Sequence, residues 1–222
     1  MISLPENKKI LFFCPHPDDD AFSSGATIHE LVKNQNQVIS VFMTLSPKGI
    51  ARDISNEEKR RIRKSEAVAA CKVLGNKTLF LDLDKPTLEF NDKNINLIIN
   101  MLEKEKPDII LLPPQNDAHP THARVSKIVS EAAKSIKAEK WFYETWTPLE
   151  KPNYIFFFGE DIMKIKIKAL KQYESQLERM DLVNAAIGIN TYRGIMGELL
   201  IEGFTKSGEK QKKYGEAFLI VK

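Results

Sequence analysis

The sequence predicts an α/β fold, a Rossmann-like and mostly parallel sheet flanked by helices, with an α/β C-terminal extension. Three observations predict it. Short apolar runs, Ile10-Leu11-Phe12-Phe13 and Ile109-Ile110-Leu111-Leu112, read as strands buried on both faces. Segments with helical apolar spacing alternate with such runs and are long enough for parallel crossovers. Polar clusters also stand where two of the strands stop, and open α/β sheets bind ligands beyond the carboxyl ends of their strands.

Each element has its own signal. The first strand spans 8–14. Ala21-Phe22-Ser23-Ser24-Gly25-Ala26 supplies small residues for a helix packed close to the sheet, ending near Lys33 before Asn34-Gln35-Asn36. Residues 37–45 alternate and are rich in Val, Ile and Phe, a second strand that Ser46-Pro47-Lys48-Gly49 breaks. Ser55 or Asn56 caps a helix with Glu57 and Glu58 in its first turn. Its stripe is Ile62, Glu66, Ala69, Ala70, Val73 and Leu74, and Gly75 ends it. A short strand over 78–83 has Asp82 and Asp84 at its end. Residues 91–104 place Ile95, Ile98, Ile99 and Leu102 at helical spacing, and Pro107 stops that helix before a strand over 108–112. Pro113-Pro114 opens a loop that leads to a helix over 123–136, and a fifth strand follows over 140–146.

The last third changes character. An aromatic strand spans 154–158. One helix covers 161–179, with Ile162, Ile165, Leu170, Tyr173 and Leu177 inward and Lys164, Lys166, Lys168 and Lys171 on a solvated face. Another helix runs from 181 to about 201, interrupted near Gly188 and Gly194. A strand over 214–221 closes the chain.

The 222 residues suit one well-buried domain, 1–222. Apolar residues are 42% and charged residues 28%, an ordinary globular mix. A net charge of +3, with no Lys/Arg block interleaved with aromatics, gives no sign of a nucleic-acid partner. Residues 1–9 lack the apolar core of a signal peptide, and no apolar run approaches the roughly 18–20 residues of a membrane helix. Cys14 and Cys71 lie in apolar contexts, which suits buried thiols in a reducing cytoplasm. Cys14 neighbours His16 but reads as a packed strand residue, not a nucleophile.

The chemistry concentrates in Cys14-Pro15-His16-Pro17-Asp18-Asp19-Asp20 and Asp117-Ala118-His119-Pro120-Thr121-His122. Three of the four histidines fall there; the fourth, His29, sits mid-helix and reads as structural. Buried unpaired carboxylates are costly, so the three acids face solvent, each other or a metal. A catalytic zinc takes three protein ligands and leaves one position open. His16, Asp19 and His122 fit that set, which also suits ferrous iron. Asp18 is then free to act as general base. His119, as an imidazolium, can stabilise an oxyanion or protonate a leaving amine. Asp20 is a supporting residue that holds a ligand or a backbone N–H. These parts fit hydrolysis of an amide or ester. A nucleotide-binding Rossmann protein is disfavoured, because no Gly-x-Gly-x-x-Gly follows the first strand.

Pro15-His16-Pro17-Asp18-Asp19-Asp20 resembles the His-Pro-Asp-Asp-Glu motif of the PIG-L/LmbE-like zinc de-N-acetylases, and His119-Pro120-Thr121-His122 resembles their His-Pro-Asp-His motif. Arg63-Lys64-Ser65-Glu66-Ala67, Leu74-Gly75, Tyr173-Glu174-Ser175-Gln176, Arg193-Gly194 and Tyr214-Gly215-Glu216-Ala217-Phe218 are similar to further segments, the last three of the bacterial sugar-deacetylase branch. The resemblance implies zinc on His16, Asp19 and His122, Asp18 as base, and His119 at the oxyanion or leaving group. It also implies an N-acetylated amino sugar of the N-acetylglucosamine type as a small-molecule substrate, and a homo-oligomer, trimer or hexamer. Asp20 replaces a Glu of the pattern, Thr121 replaces an Asp that would favour a charged His119, and Ser46-Pro47 replaces a Gly-Glu. Asp117 can compensate for Thr121. Arg52 matches an arginine that contacts substrate hydroxyls. A catalytically weak zinc- and sugar-binding protein is the alternative that Thr121 suggests.

Overall fold

The structure is a computed structural model that describes residues 3–83, 88–203 and 213–221. Strands β1 (Lys9–Cys14), β2 (Gln37–Phe42), β3 (Lys77–Phe80), β4 (Ile109–Leu112), β5 (Glu139–Tyr143), β6 (Tyr154–Phe158) and β7 (Tyr214–Val221) form one sheet in the order β3-β2-β1-β4-β5-β7-β6. The first five are parallel; β7 runs antiparallel between β5 and β6. The helices are α1 (Asp19–Lys33), α2 (Asn56–Leu74), α3 (Asp92–Glu105), α4 (Pro120–Ala132), α5 (Glu160–Leu170), α6 (Glu174–Leu177) and α7 (Leu182–Glu202).

The apolar run Ile10–Cys14 of β1 is explained by two cores. Ile10, Phe12 and Cys14 pack under Ile28 and Leu31 of α1, Leu74 of α2 and Leu170 of α5. Leu11 and Phe13 point the other way, to Ile98 and Leu102 of α3 and Val125 and Ile128 of α4. Each such side chain removed from water contributes about 1.5–3 kcal/mol before entropy is counted. The sheet order reverses between β1 and β4, with β2 on one side of β1 and β4 on the other. That crevice is where the two polar clusters emerge.

Several boundaries differ from the sequence expectation for physical reasons. Helix α1 starts at Asp19, so Asp19 and Asp20 lie in its first turn, where the helix dipole favours negative charge. It kinks at Ser24 (φ −140°, ψ 22°), and the Glu216 carboxylate on β7 accepts from the amides of Ala26 (3.0 Å) and Thr27 (2.7 Å) just beyond. Lys166 is not on a solvated face: it is fully buried, and its Nζ donates to Glu216 at 2.6 Å. Lys164, Lys168 and Lys171 are exposed as expected. The predicted helix over 161–179 is broken into α5 and α6. The break sends the Tyr173 hydroxyl to Asp20 (3.0 Å) and the Ser175 amide and hydroxyl to Glu66 (2.7 and 2.8 Å).

Helix α7 runs uninterrupted through Gly188 and Gly194. Gly194 serves a close crossing instead, since a Cβ there would lie 2.5 Å from the carbonyl of Lys213. Helix α4 starts at Pro120, three residues early, with Pro at its first position and His119 as N-cap. On α2 the buried face is Arg63, Glu66, Ala67, Ala70, Cys71 and Leu74, while Ile62, Ala69 and Val73 are only half-buried. Asp84 lies outside the described residues. Among the described residues no helix is long and apolar enough to cross a membrane.

Candidate active site and metal centre

The first cluster is fixed by β2. Beyond its last residue, Met43 N–H donates to Cys14 O (2.8 Å), and Thr44 donates to Pro15 O from its amide (3.2 Å) and hydroxyl (2.8 Å). The chain then turns at Asp18, whose φ of 128° is strained for any residue with a Cβ. Asp18 stands at the N-cap of α1 yet makes no side-chain capping bond. Its carboxylate is given to Arg63 instead, whose Nη2 lies 3.5 Å away. An N-cap aspartate that forgoes its cap, on a strained backbone, marks a side chain held for another purpose.

His16, Asp19 and His122 converge. His16 Nδ1 is 3.1 Å from His122 Nε2, Asp19 Oδ2 is 3.4 Å from His16 Nδ1, and Asp19 Oδ1 is 3.3 Å from His122 Nε2. Ligands about 2.0–2.1 Å from a tetrahedral ion stand about 3.3–3.4 Å apart. Each ring nitrogen thus has one Asp19 oxygen at about this spacing, Oδ2 for His16 and Oδ1 for His122, and the donor types fit zinc or ferrous iron. The nitrogens of His16, His119 and His122 also lie within 4.8 Å of one another, so His119 faces the same point.

Supporting groups orient these donors. His122 is fully buried, and its Nδ1 is 3.0 Å from Thr145 Oγ1, which donates to Asp117 Oδ2 (3.2 Å). Such a hydroxyl–carboxylate relay fixes the ring. Asp117 thus serves His122; its other oxygen accepts the backbone N–H of His119 (2.8 Å), not the His119 ring. Asp20 accepts from Ala21 N–H (2.8 Å), Ser40 Oγ (2.8 Å), Tyr173 Oη (3.0 Å) and Cys71 Sγ (3.4 Å). It underpins the turn as a backbone and side-chain anchor. Cys14 and Cys71 are free and buried, in accord with packing roles.

Burial pushes Asp18 up to about 8, against the pull of Arg63 and with help from Asp19 and Asp20. Burial acts on Asp19 too, but His122 and His16 outweigh it and hold Asp19 down at about 2. Burial lowers His122, keeping its imidazole neutral as a ligand requires. His119 Nδ1 accepts from Thr121 N–H (3.2 Å), so its own proton sits on Nε2. An imidazolium carries protons on both nitrogens and could not accept there. The N-cap setting thus favours neutral His119 over the expected imidazolium, since helix N-termini also repel cations.

A cavity of about 320 Å³ is lined by Asp18, Arg63, His119, Trp146, Gln176 and Arg179 among others, and a second of about 220 Å³ by Thr44, Pro47, Leu88 and Thr121. His16 and His119 line both. Arg52 is exposed, ion-paired with Glu178, and lines neither cavity. Sequence reasoning missed Arg63, Thr145 and Trp146 as site residues. Arg63 is almost wholly buried, and its Nε and Nη1 have no hydrogen-bond partner among the described residues. Its signal was available: it shares a helical stripe with Ala67, Ala70 and Leu74, where an arginine is out of place unless it has a task.

Known proteins are similar to this chain in sequence and in fold. The chain is 28% identical over 193 residues to the diacetylchitobiose deacetylase of Thermococcus kodakarensis, covering 76% of this chain and 70% of that one. It is 29% identical over 189 residues to a probable N-acetyl-alpha-D-glucosaminyl L-malate deacetylase of Bacillus cereus, covering 78% and 86%. The solved structure of N,N'-diacetylchitobiose deacetylase from Pyrococcus horikoshii superposes with a TM-score of 0.80 at 26% identity, over 96% of this chain and 84% of that one. Residues 11–133, from β1 through α4 and so across both histidine clusters, match the family described as PIG-L, GlcNAc-PI de-N-acetylase, and the chain belongs to that family.

Proposed function

We propose that this protein is a metal-dependent N-deacetylase that removes the acetyl group from an N-acetylated amino sugar of the N-acetylglucosamine type. The observation that carries this reading is the 3.1–3.4 Å spacing of donor atoms on His16, Asp19 and His122. These residues would hold the ion, zinc or alternatively ferrous iron. When bound, a divalent cation supplies Lewis acidity, acidifying water and polarising an amide carbonyl.

The chain's own residues do the rest. Asp18 takes a proton from the attacking water and later delivers it to the departing amine nitrogen. Burial raises its proton affinity toward neutrality, which suits a group that must both accept and release a proton. His119 offers Nε2–H to the carbonyl oxygen as charge develops on it, a role that a neutral imidazole fills. Arg63 keeps Asp18 turned to the cavity. The names of the relatives, a diacetylchitobiose deacetylase and a GlcNAc-malate deacetylase, support the substrate class.

Elemental analysis and acetate release from N-acetylglucosamine conjugates, with and without a chelator, test the reading together. One ion per chain and chelator-sensitive release are expected. Asp18→Ala is expected to keep the ion and lose about 10²–10⁴ in turnover; retained turnover would rule out Asp18 as the base. Thr121, in place of an acidic residue beside His119, favours a second reading, a catalytically weak zinc- and sugar-binding protein. Stoichiometric zinc and sugar binding without acetate release would select it.

A further inference from the structure

The catalytic roles above leave Trp146 unassigned. It is 53% exposed, although tryptophan in a folded chain is mostly buried. Its ring centroid lies 5.7 Å from that of His119, and it lines the larger cavity together with Asp18, Asp19 and Arg63.

The backbone on both sides of it is pinned. Glu144 receives Arg193 Nε (2.9 Å) and Nη2 (2.7 Å) in a buried fork, and also accepts Leu149 N–H (2.8 Å). Arg193 Nη2 further donates to Leu149 O (2.7 Å). Thr145 is held between His122 and Asp117, and Thr147 Oγ1 accepts Ala118 N–H (2.7 Å). The segment 144–149 therefore presents an exposed indole from a fixed support, so little ordering entropy is lost when something lies on it. The same cavity is also lined by the hydrogen-bonding side chains of Gln176, Arg179 and Lys48. An exposed aromatic ring and hydrogen-bonding side chains in one cavity match a pyranose, which has a C–H face and a rim of hydroxyls. The negative face of an indole attracts the weakly positive axial C–H bonds.

We propose that Trp146 is the platform on which the sugar ring stacks, and that it selects pyranosides over acyclic N-acetyl amines. The choice of ligand rests on the deacetylase reading. The metal-loaded wild type, W146A and W146F are compared for acetate release from N,N'-diacetylchitobiose. In parallel, acrylamide quenching of tryptophan emission is followed during titration with glucosamine. The chain has two tryptophans, and Trp141 is buried, so the quenchable emission belongs to Trp146.

The expected result is a KM about ten-fold higher in W146A with kcat little changed, and recovery of most of it in W146F. Saturating glucosamine should shield the wild-type emission from acrylamide, with no such change in W146F. An unchanged KM in W146A would overturn the proposal. So would emission indifferent to glucosamine, or wild-type turnover of N-acetylethanolamine equal to that of the sugar. If the wild type releases no acetate from any N-acetylated sugar, the deacetylase reading falls, while the glucosamine titration still decides the stacking.

Discussion

His119 and Thr121 make the sharpest residue-scale prediction. The backbone N–H of Thr121 donates to His119 Nδ1 at 3.2 Å. Thr121→Asp places a carboxylate beside that ring, which favours the imidazolium. The variant's pH–rate profile should shift toward alkaline pH relative to wild type; superimposable profiles would remove Thr121 from the account. At this scale the two motifs were legible because their donors are neighbours in sequence. His16, Asp18 and Asp19 share one turn, and His119 and His122 share the start of α4. Thr145, Arg63 and Trp146 reach the same point from β5's loop and from α2, and no local pattern ties those segments to the motifs.

At the scale of elements, strands were legible because burial on both faces leaves a continuous apolar run, as in β1 and β4. The break between α5 and α6 was not, because residues 171–173 have no breaker among them. Long-range bonds, Tyr173 to Asp20 and Ser175 to Glu66, impose it. Gly194 of α7 misled for the opposite reason: a residue that breaks helices admits the chain entering β7, while Gly188 has open space beside it. The β1–β4 pair carries a pH prediction. At its lower end Asp108 accepts the amide of Lys9 (2.9 Å) and the ammonium of Lys8 (3.2 Å), and these bonds, the amide first, hold its carboxyl below the usual range. A depressed folded-state value means the contribution is present above the unfolded value of about 3.9 and disappears as pH falls through the folded one. Asp108→Asn should therefore lower the unfolding midpoint at pH 7 and lower it less near pH 2. An equal deficit at both values would assign the effect to something other than the charge.

For the molecule as a whole, the sheet order places the site at the reversal between β1 and β4, with donors from both sides of the crevice. An ion held by His16, Asp19 and His122 would tie the two halves together and stabilise the fold by mass action. Removing it with a chelator should lower the thermal midpoint by roughly 5–10 °C, restored by added zinc. A midpoint that ignores the chelator, in a protein shown to carry metal, would mean that the loops meet without its help. The mostly parallel, helix-flanked architecture was legible because strands and helices alternate with connections long enough for parallel crossovers. The antiparallel insertion of β7 between β5 and β6 was not, since a strand's sequence does not state its neighbour.

The φ of 128° at Asp18 has an evolutionary corollary. Glycine adopts that conformation without strain, so Asp18→Gly should toughen the protein against heat while silencing it. A library sorted on endurance alone would therefore fill with glycine at this position and lose its chemistry. On the proposed role of Asp18 as general base, selection for turnover would keep an ill-fitting residue there.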